Sequence, residues 1–278
     1  MTAPVISQHA GPDGWWRSAV TPSNLPGIHH FADYSEATSF TARRELPHPE
    51  PVLIINLGDP IAITDGIGRR TILAAGKGFV AGLDEAPAIS ESSGRQSGLQ
   101  VALTPLAAGA LLGQPIGNFT GDVIPLDALL DDRDLADALL NAPDSTARTA
   151  ILANYCAARL HAAAAPPDEI TWAWQQLRTR PNLSIAALAT QTGWSHRRLI
   201  AGFRSHIGLT PRRFASITRF DRLIRSAGPT KSWANLAQDA GYFDQPHMVR
   251  DFTRFSGMSP SQWLANLVPN GGGLQHPA

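Results

Sequence analysis

Apolar and polar positions change their period along this chain. From Ile28 to Leu103, short apolar segments alternate with turn residues. The segments are Ile28 to Tyr34, Ser39 to Arg43, Val52 to Leu57, Ile61 to Thr64, Gly78 to Leu83, Ala88 to Glu91 and Leu99 to Leu103, separated by signals such as Gly58-Asp59-Pro60 and Asp65-Gly66. Many short strands at close spacing predict a small barrel or double-sheet jelly roll rather than alternating strands and helices. From Pro105 the period becomes helical. Leu106 to Leu112 is a short segment. Leu126 to Leu140 carries Leu126, Leu129, Leu130, Leu135 and Leu139 at helical spacings, and Ala147 to Leu160 carries Ile151, Leu152, Tyr155 and Cys156. Residues 1–27, rich in Pro, Gly and Ser, read as an arm whose Trp15 and Trp16 pack on this domain of residues 28–160. Residues 161–167, with Ala162 to Ala165 and Pro166-Pro167, read as a linker. Asp168 then caps a helix whose Ile170, Trp174 and Leu177 face inward.

Between Leu183 and Pro260 the pattern occurs twice. Leu188-Ala189, Gly193-Trp194, Ser195, Phe203, Gly208 and Pro211 are answered by Leu236-Ala237, Gly241-Tyr242, Asp244, Phe252, Gly257 and Pro260. The offset is 48 residues through the glycine and the aromatic residue after it and 49 from the polar opener on, so the second copy carries one extra residue at the turn. Each copy reads as a short helix, a glycine turn and a second helix opened by a polar cap, which is a helix-turn-helix. Ser184 and Ser195 open the helices of the first copy, and Ser232 or the residues beside it, and Asp244, those of the second. Pro246 sits in a first helical turn, where its missing N–H costs nothing.

These residues resemble the DNA-binding domain of the AraC/XylS family of transcription regulators over roughly residues 168–266. The tandem units carry that resemblance, together with the Gly-Leu-Thr-Pro opening of the linking helix and the run Gly-Tyr-Phe-Asp-Gln-Pro-His-Met-Val-Arg-Asp-Phe. The resemblance implies an α+β chain of two domains. The first is a cupin-like N-terminal β-barrel or jelly roll with two or more covering helices, and the second is an all-α domain with two helix-turn-helix units joined by a linking helix. Arg43-Arg44-Glu45-Leu46-Pro47, with Leu53 to Pro60, looks like a variant of that cupin-like domain. Residues 267–278 remain as a flexible tail.

The resemblance also implies function. Double-stranded DNA is the expected partner, a homodimer the expected assembly, paired through the helices between Leu126 and Leu160, and RNA polymerase a further partner. The barrel takes a small-molecule effector or, alternatively, serves only as a dimerisation or protein-interaction module. These two readings separate on the barrel interior, since an enclosed space with converging polar groups favours the sensor.

Charge sharpens the division of labour. The net charge of zero conceals 10 Lys+Arg against 17 Asp+Glu in residues 1–167, and 13 against 6 in residues 168–278. The basic half suits a polyanion and the acidic half does not. On the helix after Ser195, Leu199 and Phe203 define the inner face and leave His196, Arg197, Ile200, Ala201 and Arg204 outside. The family positions that meet bases fall on Arg197, Ile200 and Ala201, and in the second copy on Gln245, Pro246, His247 and Arg250. Arg197 suits guanine and Gln245 adenine, whereas Ile200 and Ala201 reach only a thymine methyl or a sugar. Arg198, Arg204, Arg212, Arg213, Arg219, Arg222 and Arg254 are the candidate phosphate contacts. The linking helix, residues 211–227, makes a rod of about 25 Å, which with its turns holds the reading helices about 34 Å apart, one turn of B-DNA.

Other chemistry finds little footing. Gly94-Arg95-Gln96-Ser97-Gly98 has its serine one place late for a nucleophile elbow and reads as a flexible hairpin. No phosphate loop or dinucleotide fingerprint occurs, so no enzyme and no cofactor are expected. His29, His30 and His48 with Glu45 lack the His-x-His pair of a cupin metal site, and adjacent histidines on a strand face opposite ways. The single cysteine, Cys156, reads as packed core and fits a cytoplasmic protein. No leader or membrane-length apolar run is present.

Overall fold

Among the described residues, eleven strands, ten α-helices and two 3-10 helices follow one another, the strands mostly first and the helices after. The computed structural model describes residues 3–128, 133–228, 231–267 and 274–276. The strands are β1 (Val5–Gly11), β2 (Gly14–Pro22), β3 (Ile28–Thr38), β4 (Ala42–Glu45), β5 (Val52–Asn56), β6 (Ile61–Thr64), β7 (Arg70–Leu73), β8 (Gly78–Ala81), β9 (Ala88–Glu91), β10 (Arg95–Leu103) and β11 (Val123–Pro125). They form a seven-stranded sheet in the order β1-β2-β3-β10-β5-β8-β11 and a four-stranded sheet in the order β4-β9-β6-β7, antiparallel at each pairing. Alternation along β10 places Leu99, Val101 and Leu103 in the core with no exposed surface. Helices α1 (Pro105–Leu112), α2 (Arg133–Leu140) and α3 (Ser145–Ala162) cover this end, with Leu111, Leu139, Leu152 and Cys156 packed against it. An ion pair at 2.7 Å from Arg148 on α3 to the buried Asp33 on β3 pins the cover in place.

Several expectations need correction. Residues 5–22 are no loose arm, since β1 and β2 form a hairpin and β2 runs along β3 from Gly14↔Thr38 to Pro22↔His30. Gly14 makes this close turn possible. Its φ is 124°, and a Cβ there would stand 2.1 Å from the Ala37 carbonyl oxygen. The Ser39–Arg43 segment starts as a turn held by Thr38 Oγ1 on Phe40 O, so the strand begins at Ala42. Only Gly94 of the expected 94–98 hairpin turns, with φ 88°, and Arg95 onward is β10. The Leu126–Leu140 run is a 3-10 turn at Leu126–Ala128 and then α2, while Leu129 and Leu130 lie outside the described residues. The cap position before α4 (Asp168–Thr179) is held by Pro167. Asp168 lies instead in the first turn, where its charge still suits the helix dipole.

The C-terminal half continues with α5 (Ile185–Thr192), α6 (His196–Ile207), α7 (Pro211–Ser226), α8 (Trp233–Ala240), α9 (Gln245–Ser256) and α10 (Pro260–Ala265). Its core is aromatic, with Phe203 edge-on to Phe214 and Phe220 edge-on to Phe252, all four fully buried. Of the expected flexible tail, residues 268–273 and 277–278 lie outside the described residues, but 274–276 are paired. They lie along β4 through Arg44 N to Leu274 O and His276 N to Ala42 O, with Leu274 buried in the C-terminal core.

Candidate nucleic-acid interface and cavity

The two predicted reading units have the same construction. Ser195 Oγ accepts from Arg198 N to open α6, and Asp244 Oδ1 accepts from His247 N to open α9. The turns before them rest on Gly193 at φ 70° and Gly241 at φ 90°, left-handed positions that let each first helix stop within one residue. Leu199 and Phe203 face inward on α6, as do Met248 and Phe252 on α9, with no exposed surface on any of the four. The sides left over are therefore the ones that a duplex could meet.

On α6, His196, Arg197, Arg198, Ala201 and Arg204 are exposed and Ile200 is half-buried. Arg198 lies 4.1 Å over the Trp194 ring. On α9, Gln245, Pro246, Arg250 and Arg254 are exposed. His247 is instead half-buried, edge-on to Tyr242 and 3.8 Å from Asp251, and lines a cleft with Arg212, Arg213 and Arg219 of α7. The residue that the second copy adds at its turn is Phe243, 93% exposed beside the start of α9. The spacing revealed the insertion, but only the structure shows its ring standing in solvent.

The arginines of α7 divide into two groups. Arg212 and Arg213 are exposed at its start. Arg219 points inward, donating to Pro181 O and Ser216 Oγ and lying over the Tyr242 ring, and burial lowers its pKa from the ordinary arginine value. Arg222 donates to the carbonyls of Arg178 and Thr179 at the end of α4. Arg219 and Arg222 are thus engaged within the domain, contrary to the simple expectation of phosphate contacts. Arg225 donates Nε–H to both carboxylate oxygens of Asp221, at 2.9 and 2.8 Å.

A cavity of about 1070 Å³ lies between the two sheets and extends to α4 and α7. Ile54, Ile63 and Phe79 supply apolar wall, and Tyr34 and the bidentate Arg43–Glu36 pair supply polar groups. Burial, with the charges of Glu36 and Glu45, raises the Tyr34 pKa, so its phenol stays protonated. The buried Trp16 Nε1 and Arg43 Nε have no hydrogen-bond partner. At the rim His48 Nε2 stands 3.2 Å from Asp221 Oδ1. Burial opposes its charge, but Asp221 and Glu50 outweigh it and raise the His48 pKa. His29 pairs with Glu50, and no group of three or more His, Cys, Asp or Glu side chains placed to hold a metal occurs among the described residues. Cys156 is buried, which pushes its thiol up to about 12. No helix among the described residues is long and apolar enough to cross a membrane.

Comparison with known proteins fits this geometry. Residues 188–266 match the helix-turn-helix domain family. No curated protein matches by sequence. Among solved structures, apo ToxT K231A from Vibrio cholerae strain SCE256 is similar at 12% identity and a TM-score of 0.53, covering 89% of this chain and 100% of that one. Unsaturated fatty acid-bound wild-type ToxT from the same strain gives 12% identity and 0.53 over 92% and 100%. ToxT from Vibrio cholerae O395 bound to (E)-4-(8-methylnaphthalen-1-yl)but-3-enoic acid gives 10% and 0.50 over 86% and 98%. The chain thus carries a helix-turn-helix domain over residues 188–266, within a two-domain fold like that of ToxT.

Proposed function

We propose that this protein is a sequence-specific DNA-binding transcription regulator whose N-terminal barrel takes a small-molecule effector. The observation that carries the first part is the pair of like-built units, each presenting exposed polar side chains from a capped helix: Arg197 on α6, and Gln245 and Arg250 on α9. Phosphate contact falls to the exposed Arg198, Arg204, Arg212, Arg213 and Arg254. The effector part is supported by the cavity, whose apolar wall of Ile54, Ile63 and Phe79 carries polar groups at Tyr34 and the Arg43–Glu36 pair. An apolar molecule with an acceptor head fits such a wall. The ToxT structure that holds an unsaturated fatty acid makes that class the first to try. The outer faces of α2 and α3, with Leu140 45% exposed, are the proposed homodimer surface.

Selection of bound fragments from random duplex by the purified full chain tests the reading, repeated with oleate. Enrichment of one motif, with its affinity altered by oleate, is the expected result. Binding without sequence preference at all salt concentrations overturns the regulator reading, and an affinity indifferent to oleate removes this effector class.

A further inference from the structure

Where the barrel meets the reading domain, it does so at the groups that DNA would use. The loop after β8 and the 3-10 turn Ile116–Phe119 form one block, joined by Gly82 N to Asp122 O and Gly121 N to Leu83 O. Leu83 enters the core of the C-terminal domain with 1% exposure, and Thr120 Oγ1 donates to Gly208 O at the end of α6. Gly117 lies so close to the Arg204 and Ser205 carbonyls that a Cβ would stand 2.3 and 2.5 Å from them. Gly117 and Asn118 thereby form one wall of a groove whose other wall holds Arg197, Ile200, Ala201 and Arg204.

Two residues past the Leu83 anchor, Glu85 reaches the second unit. Its carboxylate is 3.0 Å from Arg213 Nε and 3.8 Å from Arg254 Nη1. The cleft around it, about 310 Å³ between α7 and α9, is lined by Arg212, Arg213, Arg219, Arg254 and His247, against the carboxylates of Asp251 and Glu85. Asp251 is already committed to Ser216 and Arg254 Nη2. Without Glu85, the cleft holds four guanidinium groups against one carboxylate, an imbalance that calls for an anion from outside.

We propose that this cleft is a seat for a backbone phosphate of duplex DNA, and that Glu85 occupies the seat as an internal stand-in that must leave before DNA binds. The inference rests on the DNA-binding reading above. It adds that the barrel, docked as here, competes with DNA at Arg213 and Arg254 while its 116–119 turn walls the reading face of α6. An effector that loosens the dock then releases both units at once.

Anisotropy titrations of the full chain and of Glu85→Gln, on a random-sequence duplex and on the selected best site at several salt concentrations, test this. Glu85→Gln is expected to tighten both duplexes by a similar factor of about 5, and to steepen the salt dependence by about one to two, at about 0.9 per phosphate contact. Adding Arg213→Gln to Glu85→Gln is expected to remove most of the gain. A Glu85→Gln protein with unchanged affinity and slope, or one that gains only on the best site, overturns the inference while leaving the DNA-binding reading standing. A wild-type chain that binds no duplex at any salt sinks both. Tight capture of inorganic phosphate alone by Glu85→Gln would reassign the seat to a free anion and overturn the DNA assignment.

Discussion

The first and second helix-turn-helix units share a frame and differ in what they offer outward. Each has a first helix of 8 residues, a second of 12, a left-handed glycine between them and another after them. The first presents the exposed Arg197 beside the apolar Ile200 and Ala201, with Arg204 in the same groove, which the barrel walls. The second presents Gln245 and Arg250, and its longer turn lifts Phe243 into solvent. Buried positions keep the two helices at a fixed angle whatever the reading face carries. Specificity can therefore move from one unit to the other by exchange of exposed residues alone.

Breaking the frame gives the largest expected effects. Phe203→Ala and Phe252→Ala each remove a fully buried ring, and each is expected to cost about 3–5 kcal/mol in denaturant titrations. Similar losses support equivalent frames. A loss below about 1 kcal/mol in only one would show that the units are not mechanically alike.

The readers come next. Arg197→Ala is expected to cost about 1–3 kcal/mol on the best site and to relax one base position, as loss of one bidentate contact does. Gln245→Ala with Arg250→Ala is expected to flatten more positions, because α6 lacks polar readers at Ile200 and Ala201. Site selection on the variants decides the ranking. It reverses if Arg197→Ala erases most of the preference while the double variant keeps it.

The arginines between the units separate binding from folding. Arg212→Ala, at an exposed position, is expected to weaken all sequences alike and lower the salt slope by about one. Arg219→Ala leaves the Pro181 carbonyl without its donor and uncovers Tyr242. Its expected cost is about 1–3 kcal/mol of stability, with the salt slope retained. Titration and thermal unfolding of both variants sharpen the distinction, and a fall in slope for Arg219→Ala with unchanged melting would return it to the phosphate contacts.

That contrast shows what the sequence could and could not disclose. Helix bounds in the reading domain were legible because local chemistry sets them: caps at Ser184, Ser195, Thr210 and Asp244, and glycines at 193, 208, 241 and 257. β5, β6, β8, β9 and the second half of β10 followed from apolar segments between turns, whereas β7, which opens on the polar Arg70 and Thr71, gave no such signal. β1 and β2 were missed because Pro12-Asp13-Gly14 and the polar residues of an edge hairpin look like an arm until β3 supplies a partner. The inward turn of Arg219 depends on a carbonyl 38 residues earlier, and the placement of Glu85 on a contact between domains. No periodicity within one segment records either.

The smallest expected effect comes from the inserted turn residue. Phe243 is nearly free of neighbours, so Phe243→Ser should leave stability within about 0.5 kcal/mol, as surface substitutions do. A ring of this size in water, next to the helix start proposed to face bases, has apolar surface to bury against sugars or thymine methyls. Phe243→Ser is therefore expected to weaken duplex binding by about threefold to tenfold, without changing the salt slope, since no counterion is released by an apolar contact. The first unit has no counterpart: its turn runs directly from Trp194, whose ring lies under Arg198, to Ser195. Inserting a phenylalanine between Trp194 and Ser195 would then test whether the turn itself carries the difference. Equal DNA affinity of wild type and Phe243→Ser would show that the extra residue adjusts only the turn and leaves reading to Gln245 and Arg250.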